Sequence, residues 1–368
     1  MGLKIFLPGL NGIRAIAAFA VIISHINNRL EYFKLPKGNL LDLATYGVTI
    51  FFTLSGFLIT FLLLKEMEHS KTVEVRKFYI RRVLRIWPLY YIYLIIIIFV
   101  SGLSNIRSPV LFYLLMVPNF KNSFDGIINT SVGSILTTGM LGHYWSLGVE
   151  EQFYAFWPWI VKSKKFLLKF LIIFPAFYLL LKLTLRIFDA PYSVLVFVNY
   201  TRFGCLVLGG LGAYIFFYQK ERLSVFNKRG VEIAAFIFFL FVASNKFHIT
   251  SIIDHEIVSL FTLIIIFNQV NNPKRLFSFE NKVFDYLGKI SFGLYVYHPL
   301  IIYLMSLAFN YFTINNVLFK TISIYFFVIS MIIVVAHISY NFFEKRFLTL
   351  KTKYTTVQSV ASSKELNK

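Results

Sequence analysis

The chain has one cysteine, Cys205, in 368 residues. A single cysteine excludes an internal disulfide and a thiolate metal cluster, and packing is its expected role. Carboxylates are also scarce: 17 Asp and Glu stand against 37 Lys and Arg, for a net charge of +20. Charged residues of both signs make up only 15% of the chain, which excludes a disordered chain and an ordinary soluble domain. Short strands of alternating polarity are missing, which excludes a transmembrane β-barrel. Neither a repeat at fixed period nor a second, soluble domain can be read. The first apolar run carries Arg14 and is followed by further runs, so it does not read as a cleaved leader.

What is present is hydrophobic: 57% of the residues, with a mean hydropathy of +0.69. Apolar segments of roughly 20 residues recur along the whole length, as helices that cross a bilayer require. The expected fold is all-α, a polytopic membrane bundle of about ten helices near 12–28, 43–64, 86–100, 143–161, 170–188, 200–218, 231–247, 254–270, 290–309 and 318–341. With the N-terminus in the cytoplasm, 26 Lys and Arg fall on the inner side, seven on the outer side and four within spans. That asymmetry follows the positive-inside rule for ten spans with both termini cytoplasmic. The basicity is therefore topogenic, and no nucleic-acid partner is expected. PVLFYLLMVPNF at 109–120 is too short to span and reads as interfacial or re-entrant. A transmembrane domain over 1–345 is expected, followed by a basic, disordered cytoplasmic tail over 346–368.

Ionisable groups inside a bilayer are costly, so each is a candidate for function. In GIRAIAAFAVIISHI (12–26), Arg14 and His25 are almost three helical turns apart. They share one face, about 16 Å apart along the axis. In KFYIRRVLRIWPLYYIY (77–93), Arg82 and Arg85 share a face at i, i+3. Two guanidinium forks there can grip a phosphate or, as simply, anchor an inner loop together with Arg81. GHYWSLGVEEQFYAFWPW (142–159) holds Trp145 and the adjacent carboxylates Glu150 and Glu151. Those two point about 100° apart, so at most one faces a shared site. A buried carboxylate can orient a histidine, take a proton or complete a structural ion pair. Ser55, Arg202 and His298 are further embedded groups, and Pro299 frees a backbone acceptor beside His298. Lys182 and Arg186 read as packing or snorkelling residues. His69, His143, His248, His255 and His337 stand at background.

Together these segments resemble acyltransferase family 3, the membrane O-acyltransferases of bacterial surface glycans. The resemblance rests on the Arg14-to-His25 spacing, FFTLSGFLIT, FYIRRVLRIWPLYY, YWSLGVEEQFY and ISFGLYVYHPL, in that order. It covers about residues 5–345 and implies a multi-pass protein of the bacterial cytoplasmic (inner) membrane, of the type without an appended hydrolase-like domain. His25 matches the family's essential histidine, Arg14 the arginine before it and Glu150 the principal glutamate, with Glu151 beside it. Arg82 and Arg85 match the pair assigned to acyl-coenzyme A phosphates. The donor implied is acetyl-coenzyme A or another acyl-coenzyme A, with no metal. The acceptor implied is a sugar hydroxyl of a cell-surface polysaccharide or its lipid-linked precursor. A partner protein or a homo-oligomer stays open.

The mechanism expected has the donor enter from the cytoplasm with its phosphates on Arg82, Arg85 and Arg14. His25, oriented by Glu150 or Glu151, then activates the acceptor hydroxyl or itself takes the acyl group. Ser55, Trp145, Arg202 and His298 would bind substrate or support the site. A proton-coupled transporter built on the same His and Glu residues is the alternative, and a non-catalytic scaffold a third.

Overall fold

The computed structural model describes residues 3–38, 43–101, 110–121 and 139–360. All ten expected segments are helical, and the fold is an all-α polytopic membrane bundle. The helices are α1 (Leu10–Asn27), α2 (Ala44–Ser70), α3 (Val75–Ser101), the short α4 (Val110–Leu114), α5 (Tyr144–Lys162) and α6 (Lys164–Ile187). They continue as α7 (Tyr192–Thr201), α8 (Phe203–Tyr218), α9 (Arg229–Ala243), α10 (Asp254–Asn271), α11 (Lys282–Lys289), α12 (Ser291–Phe309), α13 (Val317–Ser339) and α14 (Lys345–Thr352). Among the described residues, seven stretches are long and apolar enough to cross a membrane: α1, α2, α3, α6, α7–α8, α12 and α13–α14. α5, α9 and α10 fall short of that length or apolarity. The outside of the bundle is apolar, with Phe99 89%, Ile173 62% and Phe326 63% exposed. Such a surface suits lipid and would aggregate in water.

Three differences from the sequence reading stand out. α3 begins at Val75, so Arg81, Arg82 and Arg85 lie within helix rather than at a loop junction. The segment around 200–218 starts at Tyr192 and breaks at Arg202, which adopts a left-handed conformation (φ 43°) between α7 and α8. The expected disordered tail is ordered over 346–360: a π turn at Tyr340–Glu344 leads into α14, and strand β2 (Val357–Val360) pairs in parallel with β1 (Leu3–Phe6). Backbone pairing satisfies groups that a free tail would leave to water. The pairing also puts residues 3 and 360 on one side of the bundle, so an even number of crossings must separate them. Part of 109–120 forms α4; residues 102–109 and 122–138 lie outside the described residues.

α2 is the most enclosed of the seven stretches and packs chiefly on α8. The approach is backbone to backbone. A Cβ at Gly56 would stand 1.9 Å from the Leu206 carbonyl oxygen, and one at Gly209 would stand 2.1 Å from that of Thr53. Small residues at such a seam let membrane helices gain the van der Waals contact that drives their association. Gly209→Val is expected to destabilise the bundle by about 1–3 kcal/mol. A lower Tm in detergent and less folded protein in membranes are the measurements that check it.

Candidate active site

Two cavities meet at the arginines. The larger, about 410 Å³, lies at the end of the bundle that carries β1 and β2. Its walls include Arg14, Arg81, Arg82 and Arg85, with Lys351 of α14 and Gln358 of β2 opposite. The smaller, about 90 Å³, shares Arg14, Arg82 and Arg85 and continues inward to Ser55, Glu150, Ser146 and Tyr295. Arg14 reaches this junction from α1, while Arg82 and Arg85 reach it from one face of α3.

The charges here are left unmatched. Arg81 is the exception: it pairs with Glu66 at 2.7 Å and donates to the Tyr354 carbonyl at 3.0 Å, which ties the C-terminal segment to α2. Among the described residues, Arg14, Arg82, Arg85 and Lys351 form no ion pair. The Arg82 guanidinium rests over Phe78 and Tyr154, and its Nε has no partner. Glu344 also lines the larger cavity and Glu150 the smaller, but neither pairs with these cations. Converging cations that no carboxylate pairs form a site for an anion, and phosphate oxygens suit the guanidinium fork.

The adjacent glutamates separate as helical geometry requires. Glu150 faces the smaller cavity and accepts from Ser55 Oγ at 2.7 Å. Glu151 points elsewhere and accepts from Trp87 Nε1 at 3.3 Å. The expectation that a glutamate orients His25 is corrected, because the partner of His25 is a histidine. His25 Nδ1 lies 2.6 Å from His298 Nε2. His298 is fully buried, and its Nδ1 lies 2.6 Å from the Tyr295 carbonyl oxygen. His143, read as background, is buried beside them, its ring centre 5.1 Å from that of His298. Tyr295 joins the two groups: its hydroxyl lies 2.7 Å from Ser146 Oγ and donates to the His143 carbonyl at 3.1 Å. Tyr295 and His298 are at i, i+3 on α12, so their shared face was legible in the sequence. His143 and Lys351 carried no comparable signal, since only the fold brings them in.

Beyond the histidines, a cavity of about 250 Å³ is lined by Arg29, Tyr32, Pro299, Ser306 and Asn310. Polar side chains therefore run from the arginine cavities through Tyr295 and the histidines to the opposite end.

Residues 7–340 match a family described as an acyltransferase domain. The chain belongs to acyltransferase family 3. Two relatives of this family member are a peptidoglycan O-acetyltransferase, OatA, of Listeria monocytogenes and an O-acetyltransferase, OatA, of Staphylococcus aureus. The first is 29% identical over 82% of this chain and 50% of its own length; the second is 27% identical over 92% and 57%. The chain thus spans about half the length of the curated relatives it matches. No solved structure matches it.

Not every embedded charge of this family member belongs to the site. Arg202 donates to the Thr45 carbonyl at 2.9 Å and lies over Trp145 at 4.9 Å, and both residues stand outside the cavity walls. Lys182, read as a packing or snorkelling residue, is buried against Glu256 at 2.6 Å. Removing one partner of such a pair strands the other charge, at about 3–5 kcal/mol. Glu256→Ala is accordingly expected to unfold far more readily in a thermal melt, whereas Lys182→Met with Glu256→Leu stays near wild type.

Proposed function

We propose that the chain is a membrane O-acetyltransferase that moves an acetyl group from acetyl-coenzyme A to a sugar hydroxyl of a cell-surface polysaccharide or its lipid-linked precursor. The carrying observation is the set of unpaired Arg14, Arg82 and Arg85 at the junction of two cavities. Coenzyme A brings a diphosphate and a ribose phosphate to that cation-rich cavity, where Lys351 adds a fourth basic group. Its thin pantetheine arm extends through the smaller cavity past Glu150 and Tyr295 toward His25. The acceptor enters from the opposite cavity, beside Pro299 and Arg29. His25 is the member of the histidine group with accessible surface, and it takes the hydroxyl proton or the acyl group. A peptidoglycan sugar is one acceptor of this class, after the name of the Listeria relative.

The same reading puts the protein in a bacterial cytoplasmic membrane, with ten spans and with the arginine cavities and both termini on the cytoplasmic side. Glu150, held by Ser55, limits the positive charge of the inner cavity and keeps the phosphates from sliding further in. A transporter using the same polar path would move intact donor across the bilayer.

Three outcomes follow from this reading. In nanodiscs, Arg82→Gln with Arg85→Gln is expected to weaken coenzyme A binding by at least ~10-fold, given about 1.5–3 kcal/mol for each charged hydrogen bond. Calorimetric titration with coenzyme A measures it. His25→Ala is expected to keep that affinity and to lose about 100-fold or more in acetyl transfer. Cells lacking the gene should miss one O-acetyl group in their surface glycans; an unchanged glycan profile would reject the acceptor assignment.

A further inference from the structure

In an α-helix the N–H of residue i donates to the carbonyl of residue i−4, and proline has no N–H to give. Within α12, Pro299 therefore leaves the Tyr295 carbonyl without its helical donor. His298 supplies the substitute, with Nδ1 2.6 Å from that oxygen. A carbonyl oxygen only accepts, so His298 Nδ1 must carry the hydrogen. In a neutral ring, His298 Nε2 is then the acceptor. The contact at 2.6 Å between His298 Nε2 and His25 Nδ1 requires that His25 Nδ1 donate. What remains on His25 is a bare lone pair at Nε2.

We infer that Pro299 and His298 act as positioning residues that fix the tautomer of His25, holding its proton on Nδ1 and its basic lone pair on Nε2. An unconstrained imidazole carries its proton on either nitrogen, and in the wrong tautomer the base has no lone pair where the acceptor arrives. The fixed tautomer needs no carboxylate, in keeping with the absence of one beside His25 among the described residues. This inference deepens the proposed transfer reaction. In that reaction His25 Nε2 takes the acceptor hydroxyl proton as the new C–O bond forms and the C–S bond breaks. The thiolate leaving group then takes that proton from the imidazolium. Throughout, His25 keeps its Nδ1 hydrogen directed at His298 Nε2, so the charge that forms on His25 has a fixed acceptor.

The test uses the full chain in lipid bilayers, labelled with 15N-histidine, and reads ring-nitrogen protonation by solid-state NMR. The expected spectrum has His25 protonated at Nδ1 and bare at Nε2. The opposite tautomer in the wild type overturns the inference. His298→Leu removes the acceptor, and a mixture of His25 tautomers is expected, with acetyl transfer reduced about 100-fold and coenzyme A affinity unchanged. His298→Gln offers an amide oxygen at similar reach and is expected to restore most of the activity and the single tautomer. If folded His298→Leu kept one tautomer and full transfer, His298 would not have the role assigned to it. Pro299→Ala returns an N–H that competes for the Tyr295 carbonyl, so a second His25 tautomer and a several-fold loss of transfer are expected. An unchanged spectrum would remove the proline from the scheme. Failure of wild-type protein to transfer acetyl groups would count against the enzymatic reading, while the spectrum still decides the tautomer.

Discussion

A charge inside an apolar bundle has to be matched, and this requirement sorts the polar residues of the protein. Lys182 meets Glu256, Arg81 meets Glu66, and Arg202 meets the Thr45 carbonyl and the Trp145 face. These groups answer one another and hold helices together. Arg14, Arg82 and Arg85 do not; they are half-buried and face open volume. The contrast lies within one molecule, so the local rules of burial are the same on both sides of it. Unmatched charge beside a cavity marks a ligand, whereas matched charge marks structure.

The close α2–α8 seam serves the same end. Gly56 and Gly209 let the two backbones touch, and α2 then presents Ser55 to Glu150 and its Leu58–Ile59 edge to both cavities. A looser seam would widen the smaller cavity. At the end of the bundle that carries both strands, the β1–β2 pair and the Arg81 bond to Tyr354 hold α14 over the arginines, which brings Lys351 to their cavity. The family match ends at residue 340, so this cover lies beyond the matched region.

Much of the site was legible because membrane helices have a fixed period and few polar residues. Arg14 and the arginine pair could be placed on faces from spacing alone, and they do converge on one junction. Glu150 and Glu151 could be predicted to diverge, but which one faced inward was not readable. The assignment of a glutamate to His25 failed for a physical reason. Depth along the membrane normal was estimated from sequence position, and depth does not say which helices are neighbours. Glu150 lies with Ser55 and the arginines, and His25 packs on α12 instead. His143 went unnoticed because a lone histidine before an aromatic run has no periodic partner.

The sequence by itself determined that the chain is a helical membrane bundle, because apolar length and internal backbone hydrogen bonding leave no other way to cross lipid. It also determined the faces on which the arginines and His25 stand, since the helical repeat does so without reference to the fold. Only the tertiary structure decided which charges are paired and which are free, and that His25 answers to His298. Those facts depend on distances of a few ångströms between helices far apart in the chain, and such contacts leave no period to read.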